Sequence, residues 1–164
     1  MIKIIGIGGC GDNILNFLNT KIDVELVTLQ SDVKKLNDSK IKTRIKIGND
    51  DKLLDSVLDD ASKIFVVAGF GGVTGGKFSI ALTKKANEKN IEVQNIVILP
   101  FEFENEDKAN NELEELNKIN SNISVYSNRN IANNENKDKK MSEVMRSFDE
   151  LILELIEQKI KSHN

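Results

Sequence analysis

Two glycine clusters constrain this chain more than any other feature. Gly6-Ile7-Gly8-Gly9-Cys10-Gly11 and Gly69-Phe70-Gly71-Gly72-Val73-Thr74-Gly75-Gly76-Lys77 hold nine of its ten glycines. Each follows a short apolar run, Ile2–Ile7 or Ile64–Ala68, and each leads into a helical pattern. An apolar, β-branched run closed by glycine reads as a buried strand. The same alternation continues along the chain. Strands are expected at Val24–Leu29, Ile41–Ile47, Asn95–Leu99 and Ile123–Tyr126. Helices are expected at Asp12–Asn19, Asp50–Ser62, from the second glycine cluster to about Lys89, at Glu106–Asn120 and from Met141 to about Ile160. Strand–helix alternation implies an α/β fold: a three-layer, Rossmann-like parallel sheet with helices on both faces. In such sheets ligands lie beyond the carboxyl ends of the strands, where both glycine clusters fall.

Finer patterning adds detail. Ile41, Thr43, Ile45 and Ile47 alternate with Lys42, Arg44 and Lys46, as expected of a half-exposed strand near a sheet edge. In the helix that follows, Leu53, Leu54, Val57, Leu58 and Ala61 should face inward, with Asn49 or Asp50 as N-cap. Ala109, Leu113, Leu116 and Ile119 form one apolar stripe. Met141, Val144, Met145, Phe148, Leu151, Ile152, Leu155 and Ile156 form another, and the polar stretch Ile131–Lys140 before it reads as an exposed loop.

Composition narrows the function classes. At 164 residues the chain is expected to be one domain, spanning 1–164 and ending after its long last helix. A net charge of −3 argues against general nucleic-acid binding. No run approaches the ~20 apolar residues of a membrane span. A single cysteine excludes an internal disulfide and points to a cytoplasmic protein. Lys, Asn and Ile each occur 20 times against 3 Arg, a bias that weakens any argument from an isolated lysine or an Asn cluster.

The first cluster is literally G-x-G-x-x-G, the turn that lets backbone amides approach a pyrophosphate at a helix start. A dinucleotide-binding protein also needs an acidic residue at the end of the second strand. That strand ends Thr28-Leu29-Gln30, with Asp32 slightly late. A bare tight turn is the alternative. Gly71 to Lys77 reads G-x-x-x-x-G-K, but Phe78 stands where a P-loop needs Ser or Thr for Mg²⁺. A more economical reading uses both turns together: side by side they make one phosphate cradle with two helix dipoles converging on it.

That pair of loops resembles the nucleotide-binding domain of the tubulin and FtsZ family. Gly8-Gly9-Cys10-Gly11-Asp12-Asn13 is similar to its first loop, G-G-x-G-x-N. Gly71-Gly72-Val73-Thr74-Gly75-Gly76-Lys77 is similar to the signature G-G-G-T-G-[ST]-G, and the F-x-x-A-G-M and P-F-x-F-E patterns resemble Phe65–Phe70 and Pro100–Glu104. The resemblance implies binding of GTP or GDP, with magnesium left open. Gly8, Gly9, Cys10, Gly11 and Asn13 would touch phosphates and nucleotide. Gly71, Gly72, Val73, Thr74, Gly75 and Gly76 would wrap the phosphates. Glu104 would hold the ribose, Lys108 would stand for an arginine, and Asn128 for a residue of the family's P-N-D turn. Asp149 would read guanine, whose N1–H and N2–H₂ suit a carboxylate. At 100° per residue Asp149 lies about 90° from the centre of the last apolar stripe, on its rim; an ordinary solvated Asp is the alternative. Phe148 replaces an asparagine and either packs on the base or fills the core.

For other groups plain readings compete. Cys10 reads as a small buried thiol more than a reactive one. Lys77 either neutralises a phosphate or is one lysine among many. His163, the only histidine, reads as inert, so neither a zinc site nor a Ser–His–Asp site is expected. Two departures matter more. The family's long γ-phosphate loop after the third strand shrinks to Ile47-Gly48-Asn49-Asp50. The family's activating loop and second domain have no counterpart in these residues. The implied reading is a nucleotide-binding protein with weak or no GTPase activity and no catalytic residues of its own. It would not self-assemble head to tail and would regulate cell division or a related cytoskeletal process, with FtsZ or another cytoskeletal protein as partner, even as a filament cap. The alternative is a non-catalytic module that has lost nucleotide binding and acts as a homodimeric scaffold through the edge near Ile41–Ile47. A small Rossmann oxidoreductase is a third reading, but it leaves the second glycine loop without a role.

Overall fold

The computed structural model describes residues 1–48, 52–100, 106–127 and 141–163, and of 141–147 and 163 the backbone alone. The expected asparagine or aspartate cap, Glu104, Asn128 and the polar stretch 131–140 lie outside the described residues.

The strands are β1 (Ile2–Ile7), β2 (Glu25–Gln30), β3 (Thr43–Lys46), β4 (Lys63–Gly69), β5 (Glu92–Leu99) and β6 (Ile123–Ser127). Between and after them run α1 (Gly8–Leu18), α2 (Val33–Asp38), α3 (Lys52–Val57), α4 (Gly75–Glu88), α5 (Glu106–Asn117) and α6 (Met141–His163). All pairings are parallel, and the sheet order is β3-β2-β1-β4-β5-β6. The expected α/β class therefore holds. The order turns back between β1 and β4, and an open parallel sheet has its ligand crevice at such a point.

Each sheet face carries its own core. One packs Leu54, Val57, Phe78, Leu82, Ala86 and Leu116, from α3, α4 and α5, against β-branched residues of the central strands. The other packs Ile14, Leu15 and Leu18 of α1 with Phe148, Ile152 and Ile156 of α6. β3 is the edge strand expected, with Ile41 and Ile47 buried at its ends.

Four expectations need correction. The helix after β3 stops at Val57, not Ser62, because the chain turns at Asp60 with φ of 62°. Leu53 points outward, 40% exposed, since a helix of six residues buries only a narrow face. Leu151 is 48% exposed, because the core contact of α6 runs through Phe148, Ile152 and Ile156 with Leu153 and Leu155 beside them, and Leu151 lies off that line. α2 was not expected; it buries no residue and is started by Asp32, which accepts from the Lys34 and Lys35 amides. A helix held by its cap has no apolar stripe to announce it.

One polar group braces the N-terminal half. Asp12 is buried on α1, and its Oδ1 accepts from Thr28 Oγ1 at 2.8 Å and Ser39 Oγ at 2.6 Å. Its Oδ2 accepts from Asn16 Nδ2 at 3.1 Å. α1 is thereby tied to β2 and to the segment leading into β3. Asp12→Ala would strand two buried hydroxyls and should lower stability by about 3 kcal/mol. Asp12→Asn keeps one acceptor and should cost less, as urea denaturation of the two variants will show.

Candidate functional site

The glycine turns follow β1 and β4, which are neighbours in the sheet, so the turns meet. Gly8 opens α1 with φ of 76°, a left-handed conformation that glycine adopts without strain. A Cβ there would sit 3.8 Å from the Gly75 nitrogen and the Thr74 Cβ. Gly11 abuts the Val67 carbonyl and Gly75 the Gly69 carbonyl so closely that a side-chain carbon would collide with backbone at either position. Ser31 at the end of β2 joins the same cluster, its Oγ hydrogen-bonded to Thr74 Oγ1 at 3.0 Å.

Between the turns opens a cavity of about 540 Å³. That lies within the range of small-molecule sites. Gly8, Gly9 and Cys10 form one wall and Gly72, Val73, Thr74 and Gly75 another. Gln30, Ser31, Asp32 and Lys35 form a third, and the end of β5 with Pro100 a fourth.

The electrostatics favour an anion. Neither α1 nor α4 has a side-chain N-cap or an acidic residue in its first turn. Their N-terminal amides and dipoles therefore have no acidic partner from within their own first turns. Lys35 Nζ lies over the first turn, 3.7 Å from where a Cβ of Gly9 would be. Gln30 is 2% exposed, lines the cavity, and its Nε2 donates to nothing. A buried, unpartnered amide beside a cavity is a donor lacking its acceptor.

Asp149 of α6 is near enough to Cys10 for its charge to act on the thiol, and it is not among the residues that line the cavity. Burial, with the neighbouring Glu150 charge adding, pushes its carboxyl from 3.8 up to about 6. Burial, with the Asp149 charge adding, pushes the Cys10 thiol up to about 11. Cys10 is therefore protonated at neutral pH and a poor nucleophile.

The residues singled out from sequence separate into groups. Gly8, Gly9, Cys10, Gly72, Val73, Thr74 and Gly75 come together on the cavity wall. Gly11 serves close packing beneath it. Asn13 is exposed on α1, away from the wall. Gly71 and Gly76 face α5: the Gly71 amide donates to Glu112 Oε1 at 2.9 Å, and Gly76 lies against that carboxylate. Lys108 Nζ donates to the Gly72 carbonyl at 2.6 Å. Lys77 lies over the Phe78 ring, in a groove on the far side of α4. Phe148 is core, its ring 5.2 Å from that of Tyr126. Gln30, Ser31 and Lys35 were not singled out. Their place just beyond the end of β2, beside the strand order's turning point, was the available signal.

With this geometry in view, the relatives are informative. The family model described as the GTPase domain of the Tubulin/FtsZ family matches residues 47–136, more than half of the chain. The chain belongs to the tubulin/FtsZ family. It is 29% identical to the cell division protein FtsZ of Aquifex aeolicus over 148 residues, covering 76% of this chain and 40% of that protein. It is 28% identical to FtsZ of Porphyromonas gingivalis over 182 residues, covering 93% and 39%. The chain thus spans about two fifths of the length of these relatives. Among solved structures, an FtsZ variant from M. jannaschii superposes with a TM-score of 0.83 at 19% identity, covering 94% of this chain and 54% of that one. CetZ from Methanosaeta thermophila superposes at 0.80 and 18% identity, covering 98% and 53%. Both support the tubulin/FtsZ fold. No described helix is long and apolar enough to cross a membrane, and no described cluster of His, Cys, Asp or Glu could hold a metal ion.

The shifted acid and thiol make two measurements decisive. At pH 8 only about one Cys10 in a thousand is thiolate, so iodoacetamide should label the folded protein more than about a hundredfold slower than an ordinary cysteine. The fold holds the Asp149 proton more tightly than the unfolded chain does, so its stabilising share fades as pH rises from 3.8 through about 6. Asp149→Asn should therefore melt above the parent protein at pH 7.5, and the gap should close near pH 4.

Proposed function

We propose that the cavity binds a guanine nucleotide, GTP or GDP, by its phosphates. The observation that carries this is the meeting of two uncapped helix starts with the orphaned amide of Gln30 at one cavity. Phosphate oxygens would accept from the turn amides and be neutralised by Lys35, and a rotation of the buried Gln30 side chain would bring its amide to them. Asp32, a carboxylate on the wall whose Oδ1 caps α2, would be the acidic group facing a magnesium ion carried by the phosphates. Cys10 lines the cavity and feels the Asp149 charge, which supports the base sitting on that side with Asp149 ionised against its N1–H and N2–H₂ donors. Glu104 and Asn128 complete the proposed contacts by resemblance.

Turnover is proposed to be slow or absent. Only residues 47–51 join β3 to α3, where the family resemblance implies a long γ-phosphate loop. The cellular role we infer is cytoplasmic and regulatory, in cell division or a related cytoskeletal process. The nucleotide face would dock on the end of an FtsZ-type filament. A second reading, a non-catalytic scaffold pairing through β3, is favoured by Lys108 being engaged on Gly72 and away from the cavity.

Calorimetry separates the two. The 164-residue chain should release heat with GDP and GTP and far less with ADP, and Lys35→Ala should weaken GDP binding about tenfold, the scale of one charge-assisted contact. Guanine favours the ionised carboxylate, so affinity should fall as pH drops through about 6, and Asp149→Asn should flatten that profile. No heat with any nucleotide would point to the scaffold. Substoichiometric addition to assembling FtsZ should shorten filaments; unchanged length and turnover would reject capping.

A further inference from the structure

α5 touches the second glycine turn from the side opposite the cavity, and it does so twice. Lys108 and Glu112 are one helical turn apart on one face of α5. Lys108 donates to the Gly72 carbonyl and Glu112 accepts from the Gly71 amide, so the pair grips the two ends of consecutive residues. Gly71 has φ of 94°, which turns its amide toward α5. The Glu112 carboxylate also lies against Gly76, in the first turn of α4, where a negative charge complements the helix dipole. A Cβ at position 76 would fall on that carboxylate, which would have to leave the Gly71 amide to make room.

We propose that Glu112 is a positioning residue for the phosphate turn, and that a side chain at position 76 would displace it from the Gly71 amide. Glycine at 76, where the resembling signature carries Ser or Thr, is the counterpart of Glu112. The two form one unit that sets the path of Gly71–Gly76 while the opposite side of the turn faces the cavity. The carboxylate supplies from α5 a polar partner to the turn, in place of one carried by the turn itself. Lys108 completes the grip and has its effect on the Gly72 carbonyl. The link from this grip to ligand affinity rests on the proposed nucleotide reading; the pairing of positions 76 and 112 does not.

Two measurements test it on the 164-residue chain. The first needs no nucleotide. Gly76→Ser should lower the melting temperature of the parent protein, yet be close to neutral in the Glu112→Ala background, where the space is open. Equal losses in both backgrounds would overturn the pairing. The second is GDP affinity. Glu112→Ala should weaken it about tenfold, the scale of one charge-assisted hydrogen bond. Glu112→Gln, which keeps an oxygen for the Gly71 amide, should recover most of that loss. Parent-like affinity in Glu112→Ala, or a Glu112→Gln protein as weak as Glu112→Ala, would overturn the positioning role. A parent protein that binds no GDP would sink the nucleotide reading while the melting cycle still decides the pairing.

Discussion

Backbone meeting backbone at the glycine turns is the constraint on which the molecule depends. Gly11 lies on the Val67 carbonyl and Gly75 on the Gly69 carbonyl. A side chain at either place would push a helix off its own strand, and main-chain atoms have little room to yield. With hydrogen in those positions, α1 and α4 begin directly above neighbouring strands. Their first turns then lie side by side, and the cavity is the space left between them. Every other element is arranged around that contact: α2 roofs one side, α5 braces the second turn from outside, and α6 closes behind Cys10.

The charge pattern follows the same geometry. Neither α1 nor α4 carries an acidic residue in its first turn, while Lys35 is brought over the first of them. Asp149 on α6 is half-buried and holds its proton unusually well. On the outer side the rule reverses, and Glu112 is drawn to the second turn. The turn is thus loaded asymmetrically: amides toward the cavity are open to an incoming anion, and the outward amide of Gly71 already has one. This asymmetry pre-organises the loop, because part of its backbone hydrogen bonding is satisfied before any ligand arrives.

Much of this was legible along the chain, for local reasons. Strands β1, β4 and β5 are buried on both faces and therefore show as continuous apolar runs. Glycine has few uses outside tight turns and close approaches, so the clusters marked the site. What escaped notice lacked a local signature. α2 has no buried face and is held by the Asp32 cap. Leu53 and Leu151 fit a helical stripe by spacing, yet the neighbouring layer does not extend over them. Gln30 and Lys35 are ordinary residues in sequence, and only the folding of β2 next to β1 puts them on the cavity wall.

The sequence by itself determined the α/β class, the two turns and the family, because each rests on residue type and spacing within a few turns of chain. Only the tertiary structure decided which atoms of those turns face a ligand. Seven of the turn and flanking residues expected at the nucleotide line the cavity; Gly71, Gly76 and Lys108 instead belong to the contact with α5. A glycine's identity does not say whether the space beside it is filled, as at Gly75, or open, as at Gly72. Which neighbour takes the space, a phosphate or the Glu112 carboxylate, depends on packing between segments some forty residues apart, and that information exists only once the sheet has brought them together.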